Sequence, residues 1–137
     1  MQEESESTTA RPVETTTLSV PASARYARVV RMTAANLASI AEFGVDDVED
    51  IRMAAEEAFV YACATGVRGA MAISFELARD CVTMRFELGD ATPDDEETQT
   101  SMQYATLLLD ALCDSREQTA DPSTLVLVKR LGHADAL

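Results

Sequence analysis

The residues best placed to do chemistry in this chain lie in "DIRMAAEEAFVYACATG", Asp50 to Gly66. The stretch reads as an amphipathic helix carrying two adjacent acids, Glu56 and Glu57, on a mostly small and apolar background. Tyr61 follows Glu57 by one turn and shares its face. A carboxylate in that setting is either part of an enzyme's site or a solvated helix acid, and its companions decide which. A second group is basic. Arg25, Arg28 and Arg31, spaced three apart, form a slanted row on a helix in an otherwise acidic molecule. Such a row is either a solvated face or a strip for a partner. Cys63, Cys81 and Cys113 lie far apart in apolar patterns without a CxxC, and His133 is the single histidine. Zinc needs four nitrogen or sulfur ligands at regular spacing, so no metal site is expected. The odd cysteine count reads as reduced, buried thiols and points to the cytoplasm.

The bulk properties narrow the function classes. A chain of 137 residues, 47% of them hydrophobic, is long enough for one domain with a sizeable core. Its apolar runs fall short of the ~20 residues that span a bilayer. The formal net charge of −13 argues against direct nucleic-acid binding and against anionic membrane surfaces. It steers the molecule toward basic partners, or simply keeps it dispersed. Residues 1–17, "MQEESESTTARPVETTT", are acidic and rich in Ser and Thr, and have neither the basic nor the apolar region of a signal peptide. Their composition predicts a disordered tail, with the folded domain covering 18–137.

The elements that must position these side chains follow from periodicity. "TLSVPA" predicts a short edge strand, and the apolar positions from Ser23 to Phe43 recur at helical spacing. Gly44 stands where that helix stops, and Asp46 where the next is capped. Two alternating runs, "AMAISFELA" and "CVTMRFELG", flank Arg79-Asp80 as a hairpin. "DATPDDEETQTS" reads as an acidic loop, followed by a helix over roughly 102–114 and strands near 116–119 and at "TLVLVKRL". The order β-α-α-β-β-α-β-β predicts a two-layer α/β sandwich.

The segment "VPASARYARVVRMTAANLASIAEFGVDDVEDIRMAAEEA" resembles the bacterial anti-sigma factor/serine kinases, members of the histidine-kinase-like ATPase superfamily. The resemblance covers about 18–131 and implies the histidine-kinase-like ATPase fold. It also implies a homodimer that binds a sigma factor and phosphorylates a serine on an antagonist protein. The family's E-x-x-x-N helix holds a catalytic glutamate and an asparagine ligand for Mg²⁺. Here Glu57 stands at the acid position and Tyr61 at the asparagine. A protonated phenol is a poor Mg²⁺ ligand, and phosphoryl transfer depends on that metal. The D-x-G-x-G motif matches "DATPD", which keeps Asp90 for adenine but has Thr92 and Asp94 in place of the glycines. The phosphate-cradling glycine loop matches "QYATLLLDALCD", with Gln103 and Ala105 at the glycine positions. Thr124, in "PSTLVL", matches a late threonine at the adenine pocket, and Arg31 matches an arginine that contacts sigma factor and antagonist.

The resemblance thus implies an anti-sigma factor that sequesters a sigma factor, is countered by an antagonist protein, and has lost its kinase activity and cofactor. The alternative is an active serine kinase using ATP and Mg²⁺. A third possibility is a small regulatory subunit that uses the same fold for another partner.

Overall fold

The computed structural model describes residues 13–120 and 123–131. In chain order it runs β1 (Glu14–Pro21), a 3-10 turn (Ala24–Tyr26), α1 (Ala27–Ile40), α2 (Val45–Ala64), β2 (Ala70–Leu77), β3 (Cys81–Glu87), α3 (Glu96–Leu112), β4 (Ser115–Ala120) and β5 (Ser123–Arg130). The five strands form one antiparallel sheet in the order β1-β2-β3-β5-β4. Alternate residues of the central strands are buried, so one face is covered and the other is not. The register sets Phe75 opposite Met84 and Met84 opposite Leu127, a continuous apolar row across three strands. Phe59 of α2 and Leu109 of α3 are fully buried with this row in one core, giving a two-layer α/β fold. Each such side chain contributes roughly 1.5–3 kcal/mol on burial.

Several boundaries differ from those expected, each for a local reason. β1 begins at Glu14, so residues 14–17 belong to the sheet and not to a tail. Glu14 to Thr17 pair with Leu77 to Ser74 through backbone groups, which need no apolar side chains. The expectation for residues 1–12 lies outside the described residues. The first helix is shorter than its apolar period suggests, because Phe43 is buried and folds the chain back early. Phe43 N–H bonds to Ala38 O at 3.1 Å and Glu42 N–H to Ser39 O at 2.9 Å, the paired bonds of a Schellman turn. The left-handed residue in that turn is Glu42, with φ 66, and not Gly44. Gly44 instead caps α2 in an extended conformation, and Asp46 and Asp47 occupy the first turn.

The largest difference concerns α3, which begins at Glu96 inside the run expected to be a loop. Asp95 caps it, with Oδ2 accepting from Thr98 N–H at 2.8 Å and from the Thr98 hydroxyl at 2.7 Å. Glu96 and Glu97 then lie in the first turn, where the helix dipole favours acids. The cysteines are all free but only half-buried, not enclosed as expected. Burial nonetheless pushes the Cys113 thiol up to about 12 and raises that of Cys63, so neither is a thiolate at neutral pH.

Candidate functional site: a cleft between two helices

A cleft of about 660 Å³ opens between the second half of α2 and the first half of α3. Glu57, Val60, Tyr61 and Ala64 line it from α2, a spacing that puts all four on one face. Glu97, Thr98, Ser101, Met102, Tyr104 and Ala105 are among its α3 wall. No lysine or arginine lines it among the described residues. Burial raises the Glu57 carboxyl above its ordinary value, and the charge of Glu56 adds to the shift. The Tyr61 hydroxyl accepts a hydrogen bond from Gln118 Nε2 of β4 at 3.1 Å, which ties the ring between α2 and the sheet edge. Another hollow, of about 610 Å³, lies by the β2–β3 turn, but its charged residues Glu14, Glu42 and Arg79 are all exposed.

The structure brings together only part of the expected site. Glu57 and Tyr61 share the cleft. Asp90 is exposed in the loop after β3 and does not line it. Thr124 lies on the other side of the sheet. Leu125 and Leu127 of β5 are buried toward the helices, so Thr124, one residue out of phase, faces away, opposite Glu87. It lines a shallow hollow with Thr17 and Arg85. The cleft therefore holds Glu57 but neither Asp90 nor Thr124.

The basic row is also divided. Arg25 and Arg28 are exposed, with the Arg25 guanidinium 5.4 Å from the centroid of the Tyr26 ring. Arg31 is 27% exposed and donates from Nη1 to Glu56 Oε1 at 3.2 Å, so its charge is matched within the domain. One of the paired acids of α2 is thus engaged with α1, and the other is left in the cleft.

Thr65, which the sequence reading passed over, organises the end of α2. It is the one buried polar residue among the described ones, 7% exposed. Its hydroxyl donates to Ala62 O at 2.6 Å and accepts from Gly89 N–H at 2.7 Å, while its carbonyl accepts from Ala91 N–H at 2.9 Å. These bonds clasp the strand end that carries Asp90 to the helix end. The signal available was a β-branched polar residue directly before Gly66, which takes φ 88 at the helix stop. Lys129 was missed in the same way. It faces inward from β5 and donates to Asp50 Oδ2 and to Leu112 O, each at 3.0 Å.

A magnesium nucleotide does not fit these residues. Tyr61, which the resemblance sets at the metal-ligand position, has its hydroxyl engaged by Gln118. Gln103 to Ala105, which the resemblance aligns with a phosphate loop, lie in the middle of α3, where backbone N–H groups bond to the preceding turn. The true N-terminus of α3 is capped by its own carboxylate and followed by two acids. Among the described residues, no three His, Cys, Asp or Glu side chains converge on a point that would hold a metal ion. No helix of the described residues is long and apolar enough to cross a membrane.

No family model matches the chain, and no curated protein matches it. What fold and cleft define is a class: a two-layer α/β domain with an acidic, aromatic-walled cleft between two helices.

Proposed function

We propose that this chain is an anti-sigma factor of the histidine-kinase-like ATPase fold that binds its sigma factor without phosphorylating an antagonist. The observation that carries the reading is the continuity of α3 through Gln103 to Ala105. A kinase of this fold needs backbone donors free at that place to hold phosphate, and here a helix consumes them. Tyr61 supports the same reading, because the residue that the resemblance sets at the Mg²⁺ ligand is a phenol already hydrogen-bonded by Gln118. The order of elements and the single antiparallel sheet are compatible with the fold that the resemblance implies. Partner binding would fall to the exposed Arg25 and Arg28, with the chain's acidic surface meeting the basic DNA-reading face of a sigma factor. β1 ends the sheet, and its outer edge would carry the homodimer. Release would come from a competing antagonist protein, in the cytoplasm.

The test is affinity capture of the full chain from its native lysate, with and without Mg²⁺-ATP, followed by mass spectrometry. A sigma factor recovered equally in both lanes supports a nucleotide-independent clamp. Recovery only with ATP returns the active-kinase reading, and no sigma factor in either lane removes the anti-sigma function.

A further inference from the structure

We propose that the cleft between α2 and α3 is a docking site for a protein segment that presents an arginine flanked by apolar side chains. The inference goes beyond the anti-sigma reading and holds whichever protein the partner is. Three observations lead to it. The cleft has carboxylates on both walls, Glu57 and Glu97, and no cation among its described lining residues, so it attracts positive charge. Its other walls include two phenol rings, Tyr61 and Tyr104. Among its exposed lining residues, Val60 (42% exposed) and Tyr104 (64%) leave apolar surface uncovered beside the polar Glu97, Thr100 and Ser101.

The chemistry selects among cations. A hard metal ion wants six or more oxygen ligands and gains nothing from aromatic walls. An ammonium is a compact, strongly hydrated charge that loses more on entering a half-buried site. A guanidinium is planar and weakly hydrated; it stacks on a tyrosine ring while pairing through its edge with a carboxylate. Glu57 suits that pairing, because it is half-buried beside Glu56, which Arg31 already engages, and a bound cation would relieve its burial penalty. The exposed Val60 and Tyr104 on either side would cover apolar neighbours of the arginine, which a free small cation lacks. The net charge of −13 steers such a segment in.

The probe is an acetylated and amidated octapeptide with one central arginine flanked by leucines. Its counterpart carries citrulline, which has the same shape without the charge. Binding is followed by backbone amide chemical shifts of the full chain at about 0.15 M salt, where diffuse attraction is screened beyond about 8 Å. The expected result is shifts centred on residues 57–64 and 97–105. Affinity should fall by about tenfold for the citrulline peptide and for Glu57→Gln. Tyr104→Ala, which alters an exposed side chain and not the core, should weaken binding by about fivefold. Glu117→Gln removes one exposed charge on β4 and should change affinity by less than about twofold. Equal losses with Glu57→Gln and Glu117→Gln would show diffuse attraction and overturn the proposal. So would shifts centred elsewhere, or no binding at millimolar peptide.

Discussion

Alanine at position 89 should be among the most damaging single-methyl additions in the domain. A Cβ on Gly89 would lie 2.3 Å from Thr65 O, 2.7 Å from Gly66 C and 2.9 Å from Val67 N, all of them backbone atoms. Restoring ordinary contact requires the two segments to part by about 1 Å. That movement stretches the Gly89 N–H bond to the Thr65 hydroxyl, now 2.7 Å, and the Ala91 N–H bond to Thr65 O, now 2.9 Å, out of range. Two lost bonds at about 1 kcal/mol each, plus about 1–3 kcal/mol of overpacking, are offset by about 0.4–1 kcal/mol of reduced unfolded-state entropy. The net loss is about 2–5 kcal/mol. With a urea slope of about 2 kcal/mol/M, the midpoint should drop by about 1–2.5 M at unchanged slope, read by circular dichroism. Gly44→Ala is the control. Nothing lies within 4 Å of its Cβ and its φ is −69. Ala caps less well than Gly by about 0.5–1 kcal/mol, which the reduced unfolded-state entropy largely offsets, so it should stay within about 0.5 kcal/mol of the parent. A Gly89→Ala protein as stable as that control would refute the claim that Thr65 clasps the β3 end to α2.

Thr65→Val keeps the shape but removes the hydroxyl that serves both Ala62 and Gly89. It should cost about 1.5–3 kcal/mol in the same urea titration, because it strands the Gly89 N–H. Glu57→Gln should raise the melting temperature at neutral pH, since burial and Glu56 hold the Glu57 carboxyl above its ordinary value. The folded state then binds that proton more tightly than the unfolded chain does. The parent accordingly gains on the variant as pH falls through the raised value, and a gap that is constant with pH would contradict this. Lys129→Met removes the cation held by Asp50 at 3.0 Å and by the Leu112 carbonyl, with Asp47 at 4.0 Å. Burial lowers the Lys129 ammonium, but Asp50, Asp47 and Asp114 together outweigh it and leave it raised. The variant should lose about 1–3 kcal/mol at neutral pH, measured by thermal melting. That difference should close at alkaline pH, once the raised ammonium deprotonates.

Much of the architecture was readable from residue order. The alternation in "AMAISFELA" and "CVTMRFELG" gives β2 and β3, because pleated strands with one covered face must alternate. The apolar period through Ile51, Ala55, Ala58 and Ala62 gives α2, since those positions return to one side every turn. Boundaries were less legible where the deciding partner is distant. Glu14 to Thr17 carry no apolar pattern, yet the backbone of β2 recruits them. Phe43 ends α1 early by its burial, and periodicity alone cannot show where a side chain will be enclosed. The start of α3 was written locally in Asp95, Glu96, Glu97 and Thr98, a capping sequence obscured by its resemblance to an acidic loop.

For the site, the sequence by itself determined which groups exist: a glutamate and a phenol one turn apart, an acid after a strand, and Thr92, Asp94, Gln103 and Ala105 where the resemblance expects glycines. Helical spacing is local physics, so Glu57 and Tyr61 do share a face. Only the tertiary structure decided what stands together. The parity of β5 turns Thr124 to the far side of the sheet, because Leu125 and Leu127 are buried by the helices and period two leaves no choice. The packing of α1 on α2 gives Glu56 to Arg31 and leaves Glu57 facing the cleft. Both outcomes depend on which long-range surfaces bury the most apolar area, a competition settled by the whole core and not by any one segment.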